Sequence, residues 1–199
     1  MFNPFREKSK VNSVSSIKDD DESRSMHREE TWNSDRKLSK AIKDDLEGKQ
    51  GCVCSYCGND YSKTSFGQID HFLPKSLFPQ FTYTPENLVL SCQICNSQFK
   101  RSNNFCTIPA AKVKQKYPDA SYFSIVHPIL DDPECHFELE DNSLVMKLLT
   151  PKAVESNKIF HLNMESILYR RARVILDREF ELSENGKALV EFILSTPRG

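Results

Sequence analysis

The chain has 199 residues, with 27 Lys and Arg against 28 Asp and Glu, 38% hydrophobic residues and a pI near 6.5. That apolar content suffices for one buried domain, or a small core with an appended subdomain, while the near-neutral charge argues against broad polyanion binding. No run of about eighteen apolar residues reads as a membrane span, and Met1-Phe2-Asn3-Pro4-Phe5-Arg6 lacks the apolar stretch of a signal peptide.

The charge is uneven. Residues 1–50 carry eleven basic and eleven acidic side chains, residues 51–118 seven against three, and residues 119–199 nine against fourteen. The net of +4 therefore falls in the middle of the chain, where it leans toward phosphate. Seven cysteines, an odd number with no export signal, fit a reducing cytoplasm rather than disulfides.

In chain order, residues 1–32 read as a polar, flexible N-terminal segment containing Asp19-Asp20-Asp21-Glu22. Asn33-Ser34 offers a cap, and Leu38, Ile42 and Leu46 recur every four residues before Gly48, so the spacing predicts an amphipathic helix over 35–47. A short strand is predicted over 66–71, ending in Asp70-His71. Pro74, Pro79 and Pro85 forbid regular structure across 72–86. Leu88-Val89-Leu90 reads as a second strand and 93–101 as a helix, with Asn96 and Lys100 on one face. Beyond this lie a β-like stretch over 123–149, a helix over 163–181 and a last helix from a Ser183 cap to Leu194. The organisation expected is 1–32 as the flexible segment, 33–118 as the core and 119–199 as a mainly helical C-terminal subdomain. The chain stops at Thr196-Pro197-Arg198-Gly199 with no recognisable terminal element, so a truncated end stays open.

Two knuckles, Cys54-Ser55-Tyr56-Cys57 and Cys92-Gln93-Ile94-Cys95, enclose 34 residues. Paired x2 spacing is the pattern of a closed, tetrahedral, structural zinc site. Cys52 competes with this assignment through Cys52-Val53-Cys54, although the two-residue knuckle favours Cys54 and Cys57. Cys106 and Cys135 read as small buried hydrophobes. A zinc ribbon alone does not make an enzyme, and a non-catalytic adaptor binding protein or nucleic acid is the competing class.

Fifteen residues separate His71 from Asn87, and eight separate Asn87 from Asn96. Asp-His pairs often only close turns, and Asn87 and Asn96 each have a plain reading as turn and cap residues. Together, Ile69-Asp70-His71-Phe72-Leu73-Pro74-Lys75, Asn87-Leu88 and Cys92-x2-Cys95-Asn96 resemble the HNH endonuclease family in its zinc-knuckle HNN variant, over about residues 52–103. The resemblance implies a ββα-metal unit, and hence an α+β protein with a zinc-stapled nuclease core. By position it implies Asp70 and Asn96 as ligands of a catalytic Mg²⁺ or Mn²⁺. It implies His71 as the base that deprotonates water, and Asn87 as the residue that orients His71. Hard oxygen donors suit Mg²⁺, and a neutral imidazole with an ordinary pKa of about 6.5 can accept a proton.

Lys75, Lys100 and Arg101 flank this set and are candidate phosphate contacts. Phe72, Phe78, Phe81 and Tyr83 read as sealing the loop rather than stacking on bases. His127-Pro128 with Asp131-Asp132 reads either as a strand end and turn or as an approach to the metal site; His27, His136 and His161 read as incidental. Arg170, Arg171 and Arg173 form either a solvated helix face or a binding surface. A narrower resemblance, carried by His71-Phe72-Leu73-Pro74-Lys75 and Phe78-Pro79-Gln80-Phe81-Thr82-Tyr83, is to the PtuB-type HNH proteins of Septu and retron anti-phage systems. It implies a nuclease effector held by an ATPase oligomer of the PtuA type; DNA is the default substrate expected, with RNA, including tRNA, second. The long charged N-terminal segment departs from that pattern.

Overall fold

A computed structural model describes residues 36–62, 66–114, 116–139, 144–183 and 185–188. The predicted flexible segment, the Asn33-Ser34 cap and His27 lie outside the described residues.

Helix α1 spans Arg36–Gln50. Its apolar stripe turns inward, with Ile42 and Leu46 fully buried, while Lys40–Asp44 and Lys49–Asp45 pairs at 2.7 and 3.2 Å line the outer face. The helix runs past Gly48, where the sequence predicted its end. Tertiary bonds hold the extra turn: Gln50 Nε2 donates to Val53 O and Leu90 O, and Gln50 Oε1 accepts Leu90 N–H. Gly51, at φ +69°, makes the left-handed exit.

Strands β1 (Gln68–His71) and β2 (Leu88–Ser91) pair antiparallel, with Asp70 opposite Val89 and His71 opposite Leu88. β1 starts two residues later than predicted. Gly67 lies against Tyr61, where a Cβ would come within 2.6 Å of the tyrosine hydroxyl. Between the strands the prolines open tight 3₁₀ turns at Pro79–Phe81 and Pro85–Asn87. Phe72, Phe78, Phe81 and Tyr83 are all buried there, as the loop-sealing reading expects.

The predicted helix over 93–101 is a π-helix, Ile94–Lys100, closed by Arg101 N–H to Asn96 O at 2.8 Å. Asn96 and Lys100, four apart on it, both reach β1, at Gln68 and Asp70.

The β-like stretch predicted over 123–149 reduces to β3 (Phe137–Leu139) paired with β4 (Met146–Leu148), with an isolated bridge from Phe123 to Cys106 and a 3₁₀ turn at Pro133–Cys135. Helix α2 (Pro151–Phe160) was not predicted, though Thr150 caps it through Ala153 N–H and Pro151 occupies its first position. Helix α3 spans Glu165–Leu182. Ile167 on it is buried, Leu176 is exposed, and the side chain of Ile175 lies outside the described residues. Ser183 caps a following turn by accepting Gly186 N–H at 3.0 Å; residues 189–199 lie outside the described residues.

The chain is thus α+β, with a cysteine-stapled ββα unit followed by two helices and a small sheet. One apolar cluster runs from Ile42 to Ile167. Tyr56 of the first knuckle stacks on Phe160 of α2, with ring centroids 4.3 Å apart. Among the described residues, no helix is long and apolar enough to cross a membrane.

Candidate metal centre and active site

The knuckles converge because backbone bonds fold each one tightly. Cys54 N–H donates to Asn59 O, and Gly58 N–H to Cys54 O, with Gly58 at φ +74°. Ser55 N–H donates to Leu90 O at 3.0 Å, docking the first knuckle on β2 beside the second. The sulfurs of Cys54, Cys57, Cys92 and Cys95 all lie within 4.8 Å of one another, and all four residues are buried. A tetrahedral zinc with Zn–S near 2.3 Å places its sulfurs roughly 3.8 Å apart, so this donor set fits zinc and leaves no open position. Mutual hydrogen bonding with Cys54, then burial, holds the Cys57 and Cys95 thiols well above their ordinary range. A bound cation removes that penalty by taking the place of the protons.

Arg171 supports the same fit. It is 1% exposed, its Nη atoms donate to Leu144 O and Leu162 O, and its Nε has no hydrogen-bond partner among the described residues. Burial lowers its pKa to about 10, against the opposing pull of the Cys57 charge. A buried guanidinium near a dianionic zinc tetrathiolate offsets part of that charge. The expectation of a solvated arginine face fails at Arg171, because α3 turns it inward; Arg173 is exposed. The cluster forms without Cys52. Cys52 is exposed and outside the cluster, while Cys135 is exposed and Cys106 half-buried, so neither is the buried hydrophobe expected.

Asp70 and His71, neighbours on β1, point to opposite faces of the strand. Asp70 is 5% exposed; one carboxylate oxygen accepts the Tyr56 hydroxyl at 2.5 Å and the other accepts Lys100 Nζ at 3.1 Å. Burial raises its pKa, opposed by the Lys100 charge and the Tyr56 bond. Gln68, two residues earlier on the same face, accepts Asn96 Nδ2 at 3.1 Å. Strand and π-helix therefore meet as two polar pairs, Gln68 with Asn96 and Asp70 with Lys100. Lys100 is not a surface phosphate contact here. It is 1% exposed, with Nζ bonded to Asp70 and to His71 O at 2.8 Å. Lys75 is half-buried and Arg101 exposed, so both reach solvent.

His71 is 8% exposed and its Nε2 lies 2.9 Å from Thr82 O. A carbonyl only accepts, so Nε2 carries the proton and Nδ1 the lone pair. Burial keeps the ring neutral, lowering its pKa to about 4. Asn87 is fully buried and ties down the loop through four bonds: Oδ1 accepts Leu73 N–H and Tyr117 O–H, while Nδ2 donates to Leu73 O and Phe81 O. Residue spacing does not mark Tyr117, Gln68 or Gln50 as part of this arrangement, and of Tyr56 it shows only the place in the chain, inside a knuckle.

The comparisons with known proteins agree with this geometry. Residues 54–101 match the family model described as HNH endonuclease. Septu protein PtuB of Bacillus mycoides (strain KBAB4) is 27% identical over 164 residues, covering 74% of this chain and 54% of that protein. Septu protein PtuB of Bacillus thuringiensis is 25% identical over 141 residues, covering 67% and 48%. Protein ea31 of Escherichia phage lambda is 42% identical over 60 residues, which are 30% of this chain and 19% of that protein. The chain spans about half the length of the two PtuB proteins. The cysteine staple, the antiparallel strand pair bearing Asp70-His71 and the helix bearing Asn96 all fall inside the matched segment. Residues 54–101 are thus similar to the HNH endonuclease family.

Proposed function

We propose that this protein hydrolyses phosphodiester bonds in nucleic acid, using a divalent cation and a structural zinc. The observation that carries the reading is the Thr82 carbonyl on His71 Nε2, which presents a neutral imidazole with its lone pair on Nδ1, one residue from a buried carboxylate. In this reading His71 takes the proton of the attacking water, and Asn87 holds the loop that fixes His71. Asp70 and Asn96 supply the hard oxygen donors for Mg²⁺ or Mn²⁺; Asn96 spends its Nδ2 on Gln68, which leaves its oxygen as the donor. The cation, when bound, offsets charge on the phosphate and on the leaving 3′ oxygen. The products are a 5′-phosphate and a 3′-hydroxyl.

DNA is the first substrate in this proposal and RNA, including tRNA, the second. Lys75 and Arg101 are the phosphate contacts. A net of +4 over residues 51–118 gives a weak grip on nucleic acid. We therefore place the chain as the nuclease effector of an anti-phage defence complex in the cytoplasm, held by a PtuA-type ATPase oligomer that positions the substrate. The similarity to two Septu PtuB proteins supports that placement.

A second reading, a non-catalytic zinc-ribbon adaptor, is favoured by one observation: both Asp70 oxygens already have partners. Supercoiled plasmid and tRNA, incubated with Mg²⁺ or Mn²⁺ and with or without chelator, separate the two. Chelator-sensitive nicking supports the nuclease, whereas intact substrates under every condition, with the ATPase partner present, favour the adaptor.

A further inference from the structure

His127 lies outside the family segment, yet it is fully buried and its ring packs on Phe72, the residue after His71, with centroids 4.1 Å apart. Its Nδ1 accepts two backbone N–H groups, those of Ile129 and Leu130, each at 3.1 Å. Nδ1 is therefore unprotonated and Nε2 carries the hydrogen, which it donates to the Tyr117 hydroxyl at 3.0 Å. That hydroxyl, having accepted from His127, donates to Asn87 Oδ1 at 3.0 Å.

The orientation of Asn87 is equally forced. Its amide nitrogen faces two carbonyls, Leu73 O and Phe81 O, and its oxygen faces Leu73 N–H. Phe81 precedes Thr82, whose carbonyl accepts from His71 Nε2. The protons at His71, Asn87 and His127 are thus placed by backbone groups that can play only one part, and the path is buried except at the half-buried Tyr117. The ring of His127 is held neutral by burial, and also by the Lys152 charge, down to about 3, so it does not switch within the physiological range. Asp131 accepts His127 N–H at 2.7 Å and is gripped by Lys152 at 2.7 Å, which fixes the turn that sets the ring.

We infer that Tyr117 and His127 are positioning residues for His71: they donate in sequence onto Asn87, and Asn87 holds the 73–82 loop whose Thr82 carbonyl selects the tautomer of His71. The inference rests on the reading of His71 as the base. It explains why a segment beyond the matched residues is built into the core beside them.

The test uses the full-length, zinc-loaded chain with ¹⁵N-labelled histidine, read by long-range proton–nitrogen correlation at pH 7. In the wild type both His71 and His127 show a single neutral tautomer with the proton on Nε2. Tyr117→Phe keeps its zinc, but the His71 signals move toward a mixture of tautomers. Nicking in Mg²⁺ slows roughly ten- to a hundred-fold in kcat with KM nearly unchanged, the signature of a misplaced group. His127→Gln, which keeps an N–H donor at similar reach, recovers most of what His127→Ala loses. A wild-type His127 protonated on Nδ1, or a folded Tyr117→Phe with wild-type His71 signals, overturns the inference. The nitrogen spectra decide this even if the wild type cuts nothing, an outcome that sinks the nuclease reading alone. Should Tyr117→Phe not fold, the His71 signals of His127→Gln against His127→Ala take its place, and identical signals in the pair overturn the inference.

Discussion

The ammonium of Lys100 lies 3.1 Å from a carboxylate oxygen of Asp70, and the two side chains are 1% and 6% exposed. A buried carboxylate without a counter-charge is costly, and Lys100 supplies that charge. Lys100→Met strands the Asp70 charge and is expected to destabilise the fold by about 3–5 kcal/mol. If Asp70 is a ligand of the catalytic cation, Mg²⁺ or Mn²⁺ then compensates: millimolar metal raises the Tm of Lys100→Met more than that of the wild type. Equal shifts in the two proteins argue that Asp70 does not meet the cation.

The cysteine cluster predicts one zinc per chain. Cys92→Ser leaves an incomplete tetrahedron around buried thiols and should lose both zinc and the folded core, because binding and folding are one equilibrium in such sites. Cys52→Ser should change neither, since Cys52 is exposed and outside the cluster. Zinc by atomic absorption and far-UV circular dichroism check both; a folded, metal-free Cys92→Ser contradicts the assignment.

Acid should weaken the fold through buried histidine. His127 is held at about 3 in the folded protein, against about 6.5 in an unfolded chain. Its pKa is lowered on folding, so its contribution is fully present above pH 6.5 and is lost as pH falls toward 3. At pH 5 the loss is about 2 kcal/mol. His71, at about 4, loses stability in the same window. Urea midpoints at pH 7 and pH 5 should therefore fall less steeply for His127→Gln than for the wild type, and parallel slopes contradict the burial argument.

Asn87 makes four hydrogen bonds with no exposure to water, so Asn87→Ala removes partners from three backbone groups and the Tyr117 hydroxyl. The expected cost is roughly 2–4 kcal/mol, larger than a catalytic role alone implies. Its cleavage rate should lie between those of the wild type and His71→Ala. An unchanged Tm shows that the loop holds itself.

What could be read from the sequence follows a physical division. Spacing reports contacts that are local or metal-bound, so the knuckles, Asp70-His71, Asn87, the strand pair and the stripe Leu38, Ile42, Leu46 were all visible. Contacts between distant segments leave no periodic trace. Lys100 reads as a surface lysine until the π-helix turns it onto Asp70, and Arg171 reads as part of a solvated arginine run until α3 buries it. His127 was noticed, but its partner Tyr117 was not, because a tyrosine ten residues away carries no motif. Helix α2 was missed although Thr150-Pro151 is a legible start; its apolar face is too weak to announce the rest.

The most direct test of the account is cleavage by His71→Ala beside the wild type in Mg²⁺, with zinc content and Tm measured on the same samples. His71 is buried and bonded to Thr82 O, so a modest loss of about 0.5–1.5 kcal/mol is expected, with zinc unchanged. Cleavage should fall ~10²–10⁴-fold, the usual cost of losing a positioned base. A His71→Ala protein that keeps its zinc, folds and still cuts at the wild-type rate contradicts the account.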